Sequence, residues 1–286
     1  MTIDPADLEL AVVERIVERD TDPALVALAR ERVAALLLLG PSPSAPTTPR
    51  ERVVADFVDQ FVIDVSGIDD TLRGPVFEQL GADTFGFVQA LYVIDLGIRR
   101  REVLDRLGMA LPDVGAVVVP ADAELWATLM EYMRTVARMK ALDPVTSELV
   151  RLRGAAAHDC RICKSRLSVQ AIEAMGSAEP FTAVVSSQPT ALSERHAVAL
   201  AFVDAIITQP TDLDPATVTK LREHFSPEEI HEMLHDVVRN SANKFAVAVG
   251  GDAAVVDEGF EYYDIDAEGD VVADVDREVV RALTSA

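Results

Sequence analysis

Cysteine is scarce in this chain: two of its 286 residues are cysteine, Cys160 and Cys163. Two cysteines cannot form a disulfide framework, and in a reducing compartment a close pair is more often redox-active or metal-binding than structural. Aromatic residues are also few, at 5%, but a hydrophobic content of 49% is enough for a sizeable core. The length suits either two modest domains or one duplicated domain.

Basic residues are outnumbered, since 26 Lys and Arg against 48 Asp and Glu give a formal net charge of −22. Such a surface repels nucleic-acid phosphates and anionic lipids, so we expect neither as a partner. Long apolar runs are missing too, because the longest, 33–39, is far below the roughly 20 residues of a membrane span. The acidic N-terminus has no signal pattern. We therefore expect a soluble cytoplasmic protein.

The sequence pattern is helical nearly throughout. Five cap residues are each followed by proline, an arrangement typical of a helix start. These pairs are Asp22-Pro23, Thr48-Pro49, Asp143-Pro144, Asp214-Pro215 and Ser226-Pro227. Ser226 is followed three residues later by Glu229, which completes a capping box. Alternating strand patterns are few, so we predict an all-α fold.

An internal repeat relates the two halves of the chain. RERVVADFVDQF, from Arg50, matches RHAVALAFVDAI, from Arg195, and the match continues without gaps. A fainter similarity sets LARERVAALLLLG, from Leu28, against LVRLRGAAAHDCR, from Leu149. In that alignment Leu39 stands at the position of Cys160. The repeat therefore predicts a first copy without the cysteine pair and a second copy with it.

These patterns suggest four segments. Residues 1–110 form the first copy, 111–123 a linker that contains the apolar segment GAVVVP, and 124–257 the second copy. Residues 258–286 form an acidic tail, and a charge run of this kind is usually a solvated surface. We expect an extended segment in this tail and a last helix from Asp274.

The stretch that contains the candidate reactive residues is ELVRLRGAAAHDCRICKSRL, residues 148–167. Glu148 lies on the apolar stripe of its predicted helix, where a carboxyl group is a candidate acid or base unless it pairs with Arg151. Asp159 is a suitable cap for a new helix, which would place Cys160 in its first turn. There the helix dipole and free N–H groups favour a thiolate, so we expect a lowered pKa for this thiol.

Two other interpretations of the cysteine pair remain open. Zinc needs about four ligands, and beyond Cys160 and Cys163 the nearby sequence offers only His158. The pair can also be an inert buried couple.

The order of several motifs resembles one known family. Glu148 is followed by Cys160 and Cys163, after LVRLR and an alanine-rich turn. Downstream come LSERHAVALAFVDAI, DLDPATVTKLREHFSPEEI and RNSANKFAVAVG, the last with an Asn-x-x-Asn-Lys segment. Together these features resemble the alkylhydroperoxidase D-like, or carboxymuconolactone decarboxylase, superfamily over residues 126–251.

This resemblance implies a duplicated alkylhydroperoxidase D-like helical bundle that assembles as a homo-oligomer and reduces hydroperoxides or disulfides with its thiols. If the family's residue roles apply here, Cys163 attacks the peroxide and becomes a sulfenate. Cys160 then resolves the sulfenate to a disulfide, which a dithiol partner reduces. Glu148 would accept the proton that activates the thiol. No cofactor and no metal are expected.

The chain departs from the family pattern at one position. The family continues Cys-x-x-Cys-x-x-x-His, and that histidine relays protons, whereas this chain has Leu167 there. Three other histidines are candidate relays: His158 beside the pair, and His231 and His235, which the first copy lacks.

His231 and His235 also form an H-E-x-x-H motif, a pattern that can hold zinc. Asp236 follows directly, where metalloproteases favour an uncharged residue, and the repeat aligns the two histidines with Gly86 and Ala90 of a packing helix. A metal-dependent hydrolase is thus one alternative. The others are a lactone decarboxylase-like enzyme, a branch that generally lacks the cysteine pair, and a non-catalytic oligomeric scaffold, which Leu167 favours.

Overall fold

The computed structural model describes residues 4–113, 117–188, 191–273 and 275, and most of them are helical. The prediction of an all-α class is therefore confirmed. The helix predicted from Asp274 and the centre of the predicted linker, 114–116, lie outside the described residues. No described helix is long and apolar enough to cross a membrane.

The helices of the first half are α1 (Pro5–Asp20), α2 (Pro23–Leu36), α3 (Pro49–Ile63), α4 (Asp70–Leu80) and α5 (Thr84–Arg106). Those of the second half are α6 (Leu125–Ala137), α7 (Pro144–Ala157), α8 (Arg161–Lys164), α9 (Val169–Met175), α10 (Glu179–Val185), α11 (Glu194–Thr208), α12 (Pro215–His224), α13 (Pro227–Asn240) and α14 (Asn243–Ala248). Short 3-10 turns occupy Val65–Gly67, Gly81–Asp83 and Pro210–Asp212. The strands are β1 (Arg166–Ser168), β2 (Glu261–Ile265) and β3 (Val271–Ala273).

All five predicted helix starts are confirmed. The side chain of each cap residue accepts a hydrogen bond from a backbone N–H of the first turn, and proline follows at the first helical position. Ser226 and Glu229 form the predicted capping box, and Thr48 forms a second one with Glu51. Because these signals are local, the sequence alone is enough to place them.

The chain divides into two compact units. The first comprises Met1–Tyr132, Thr208–Asp212 and Lys244–Gly251, so it includes two short segments from the second half of the sequence. Its core contains the fully buried Phe57 and Phe61. A buried ion cluster also lies there, in which Asp95 accepts hydrogen bonds from Arg99 at 2.7 Å and from Lys244 at 2.5 Å.

The second unit comprises Met133–Ile207, Leu213–Asn243 and Asp252–Ala286. Leu149, Leu152 and Phe181 are central to one of its buried apolar clusters. A three-stranded sheet of order β1-β2-β3 lies beside this cluster, with β1 and β2 parallel and β2 and β3 antiparallel. β2 supplies the extended segment expected in the tail, but its Tyr263 is only 8% exposed. The expectation of a merely solvated tail is therefore wrong for this segment.

The internal repeat has a structural counterpart in the helix bounds. α11 lies 145 residues after α3 at both ends, and α7 lies 121 residues after α2 at both ends. The interval grows from 121 to 145, so the second copy contains 24 more residues between its equivalent helices. This longer connection contains α8, β1, α9 and α10. The cysteine pair lies at its beginning.

Candidate functional site

The cysteine pair follows a tight turn at the end of α7. The N–H of His158 bonds to Gly154 O at 3.0 Å, and the N–H of Cys160 bonds to Ala155 O at 3.0 Å. Asp159 between them has a φ of 51°, a left-handed conformation that Asp tolerates better than most residues. This turn ends α7 and turns Cys160 inward, so that the thiol is completely buried.

Cys160 is itself the N-cap of α8, so the prediction that Asp159 caps this helix is wrong. The Cys160 sulfur accepts the N–H of Cys163 at 3.4 Å, and the Cys160 thiol donates to the Cys163 sulfur at 2.7 Å. Both cysteines are free thiols, and Cys163 is partly exposed. The two sulfur atoms are therefore adjacent, and Cys163 is the more exposed of the two residues.

The two thiols differ in acidity. The hydrogen bond that Cys160 donates to Cys163, together with burial, raises the pKa of Cys160. The same hydrogen bond lowers the pKa of Cys163, assisted by the charge of Arg151 and a hydrogen bond from Asn243, although burial opposes the shift. The pair thus consists of an outer thiol that ionises readily and an inner thiol that holds its proton.

The expectation of a lowered pKa for Cys160 is therefore wrong, and Asp252 explains part of the difference. Its carboxylate accepts the Arg161 N–H at 3.0 Å, and its backbone carbonyl accepts the Ile162 N–H at 2.9 Å. These are the helix N–H groups that would otherwise stabilise a thiolate at Cys160. The negative charge of Asp252, which is only 4% exposed, also disfavours a second negative charge on Cys160.

Asn243 connects Cys163 to a histidine. The Asn243 side chain hydrogen-bonds to the Cys163 sulfur, and its Oδ1 lies 2.7 Å from Nδ1 of His158. His158 and Asn243 are both buried. Of the three candidate relay histidines, His158 is therefore the one that the structure connects with the thiol.

Glu148 does not contact the Cys163 sulfur directly but is connected to this residue through Arg151. Both of its oxygens are occupied, by two hydrogen bonds from Arg151 at 2.7 Å, one from the Ser168 N–H at 3.0 Å and one from the Tyr263 hydroxyl at 2.8 Å. Arg151 in turn donates to the backbone carbonyl of Cys163 at 2.9 Å. The carboxylate is buried as expected, but it acts on the cysteine through Arg151.

Leu167 occupies the position of the family's relay histidine. It is completely buried in β1, packs into the apolar cluster of α7, α9 and α10, and pairs with Tyr262 of β2. The structure therefore uses this position for packing.

His231 and His235 lie side by side on α13, with ring centroids 4.6 Å apart, and His235 is completely buried. Neither histidine hydrogen-bonds to the cysteines within the described chain. Glu232 of the same motif accepts the Ala141 N–H at 2.5 Å. It lines a cavity to which neither cysteine contributes.

That cavity has a volume of about 290 Å³, and Glu148 and Arg151 form part of its wall. Two buried acids of α13, Glu232 and Asp236, line it together with Arg239. Burial raises the pKa of Glu232 and raises that of Asp236 to about 7. A carboxyl group that titrates near neutrality beside a cavity is a candidate for ligand binding or proton transfer.

Three residues of the site, Tyr263, Asn243 and Asp252, were not identified from the sequence. Tyr263 belongs to β2, where the sequence predicts an extended segment but not the residue that it contacts. Asn243 is part of the family-like ending, and nothing local shows that it reaches a sulfur atom 80 residues away in sequence. Asp252 likewise gives no local sign of its contacts with Arg161 and Ile162. All three depend on contacts between distant parts of the chain.

Comparisons with known proteins place the chain in a family. It is 39% identical over 262 residues to Mycobacterium tuberculosis "Uncharacterized protein Rv2313c" (strain H37Rv) and to "Uncharacterized protein MT2376" (strain CDC 1551), covering 88% of this chain and 92% of either relative. The chain belongs to the family of these mycobacterial proteins. "Uncharacterized protein YnjA" of Escherichia coli K12 is 31% identical over 93 residues, 32% of this chain and 51% of that protein. No protein-family model and no solved structure match the chain.

Proposed function

We propose that this protein is a thiol-dependent hydroperoxide reductase or disulfide oxidoreductase. The observation that carries the proposal is the pair of adjacent sulfurs with opposite acidity, 2.7 Å apart. A more exposed thiol with a lowered pKa beside a buried, protonated one is the arrangement that a two-cysteine reduction requires.

The proposed reaction follows from the difference in acidity between the two thiols. The Cys163 thiolate attacks the terminal oxygen of the peroxide, an S–O bond forms, the O–O bond breaks, and the alkoxide leaves. Cys160, whose thiol is the nearest proton donor, protonates the alkoxide and becomes a thiolate. That thiolate attacks the Cys163 sulfur, an S–S bond forms and hydroxide leaves. An external dithiol then supplies two electrons and restores both thiols.

Arg151 and Asn243 stabilise the thiolate in this proposal. Arg151 contributes positive charge, and Asn243 contributes a hydrogen bond to the sulfur. Glu148 acts as a positioning residue, because its paired hydrogen bonds fix the Arg151 guanidinium. This replaces the role of direct proton acceptor that the family resemblance implies.

The same resemblance leads us to propose membership of the alkylhydroperoxidase D-like superfamily, a homo-oligomeric assembly and a cytoplasmic location. A reducing cytoplasm supplies the dithiols that the cycle consumes.

The test is a thiol titration of the purified full-length protein before and after one equivalent of cumene hydroperoxide, with mass spectrometry of the peptides that contain Cys160 and Cys163. We expect two free thiols to become one intramolecular disulfide within seconds to minutes. If both thiols remain free, the proposal is wrong and the pair is structural.

Two matched variants separate the roles of the sulfurs. Cys163→Ser should abolish peroxide consumption. Cys160→Ser should still react once and leave a sulfenic acid on Cys163 that dimedone traps. Equal behaviour of the two variants would contradict the assignment of attacking and resolving thiols.

A further inference from the structure

The cavity lined by Glu148 and Arg151 also contains two cationic side chains, Arg239 and Lys140, that are not directly paired with any described acid. Arg239 lines the cavity and is partly buried, and its guanidinium makes no hydrogen bond or ion pair with any described residue. Lys140 lines the same cavity and is likewise without such a partner in the described chain. The charges of both cations act on Asp236, and that of Lys140 also acts on Glu232, but burial raises the pKa of both acids, that of Asp236 to about 7. Because Asp236 is partly protonated near neutrality, positive charge remains for an anionic ligand at this cavity.

The repeat shows that these polar groups are not required by the fold. The first-copy residues 145 positions before Glu232, Asp236 and Arg239 are apolar: Phe87, Leu91 and Ile94. All three are buried, at 2%, 0% and 4% exposure. At these positions the first copy packs well with apolar side chains, whereas the second copy contains charged ones. Functional residues are expected where one copy departs from good packing in this way.

Asp236 is the group whose proton matters here. Burial raises its pKa to about 7, so a substantial fraction is protonated near neutrality and can donate a hydrogen bond. The charged and polar groups that share this cavity with it come from every surrounding element. They are Glu232, Arg239 and Asn240 of α13, Ser147, Glu148 and Arg151 of α7, Lys140 after α6, Ser168 of β1, Gln170 of α9, and Tyr263 and Asp264 of β2.

Part of the cavity wall is apolar. Val136 and Met139, at the end of α6 and just beyond it, lie on one side with Leu142, and Ile265 of β2 also contributes. A ligand that matches both surfaces has a charged end and a short hydrocarbon portion. The volume of about 290 Å³ limits it to a small molecule.

We propose that this cavity binds a small organic acid, with the ligand carboxylate held by Arg239 and Lys140, a hydrogen bond from the Asp236 side chain, and the carbon chain against Val136, Leu142 and Ile265. Neither cysteine lines this cavity, so binding there does not depend on thiol chemistry.

The experiment is isothermal titration calorimetry of the full-length protein with hexanoate, and with hexylamine as a probe of equal length and opposite charge. We expect hexanoate to bind with a stoichiometry of one per chain and hexylamine not to bind. Because the protonated form of Asp236 is the donor, affinity for hexanoate should fall roughly tenfold from pH 6 to pH 8. Asp236→Asn, which remains a donor at both values, should remove this pH dependence.

Arg239→Gln should weaken hexanoate binding by roughly tenfold or more, since a charge-assisted hydrogen bond is lost. Lys220→Gln is the matched control, because it removes one exposed positive charge from α12, away from the cavity. Three results would overturn the proposal: binding of hexylamine instead, no binding of hexanoate at pH 6 up to about 10 mM, or equal binding by Arg239→Gln and wild type. None of them affects the thiol titration.

Discussion

The chain makes the same turn twice, once after α2 and once after α7. Leu39 N–H bonds to Ala34 O at 2.8 Å, and Cys160 N–H bonds to Ala155 O at 3.0 Å. The central residues of the turns, Leu38 and Asp159, have φ values of 58° and 51°. The backbone of this turn is therefore the same in both copies, and the turns differ in the side chains that they carry, Leu39 in one and Cys160 in the other.

Two differences give the second copy its candidate site. Its longer connection after the turn contains α8 and β1, which position Cys163 and bring the chain to β2. In the second copy, α13 is the counterpart of α5; it ends at Asn240, and α14 begins at Asn243. In the first copy, α5 continues without interruption from Thr84 to Arg106. The interruption is where Asn243 contacts the thiol. In the second copy, the candidate site therefore lies where one connection is longer and one helix is interrupted.

The largest expected difference between the copies concerns an arginine that both contain. Arg151 forms a buried pair with Glu148, and its first-copy counterpart, Arg30, forms an exposed pair with Glu18. Arg151→Gln leaves a buried carboxylate without its partner and should lower the free energy of unfolding by roughly 3–5 kcal/mol. Arg30→Gln should cost about 0–1 kcal/mol. Urea denaturation followed by circular dichroism measures both, and equal losses would contradict the comparison.

A second prediction concerns Asp236, whose first-copy counterpart is Leu91. The pKa of Asp236 is raised to about 7 by burial, so the folded state holds a proton that the unfolded state releases at lower pH. The stability that this group contributes is fully present below about pH 4 and is lost as pH rises through 7.

Asp236→Leu should therefore be more stable than wild type at pH 8 by on the order of 2 kcal/mol, with a smaller or absent gain at pH 5. Thermal unfolding at the two pH values measures the difference. A gain that is the same at both would show that the carboxyl group is not the cause.

A third prediction concerns the acidity of Cys163. Asn243→Ala removes a hydrogen bond to the sulfur and should raise the pKa of this thiol. The pH profile of the iodoacetamide reaction measures this shift. Asn240→Ala is the control, because Asn240 lines the separate cavity. If both variants shift the profile equally, Asn243 has no specific role at the thiol.

The smallest expected effect concerns the shared turn. Leu38 is 74% exposed and has a left-handed conformation that suits glycine better, so Leu38→Gly should stabilise the protein by about 1 kcal/mol. Asp159→Gly should change stability by less, because Asp tolerates this conformation and also pairs with Lys164. Melting temperatures compare the two, and a larger gain at Asp159 would contradict the expectation.

Much of the fold could be predicted because its signals are local. Each of the five cap-proline pairs marks a helix start through contacts within one turn, and the repeat was visible because equivalent helices bury equivalent apolar residues. Of the site, Cys160, Cys163 and the burial of Glu148 could be predicted, since they lie within one short stretch. The directions in which the pKa values of Cys160 and Cys163 shift could not be predicted, because they depend on Asp252 and Asn243.

The sequence alone determined where the helices begin and which residues, Glu148, Cys160 and Cys163, are candidates for a site. Which thiol ionises, and what Glu148 pairs with, depended on groups far away in sequence: Asp252, Asn243 and Tyr263. Burial strengthens electrostatic and hydrogen-bond effects over distances of a few ångströms, and such distances between remote residues exist only after the chain has folded.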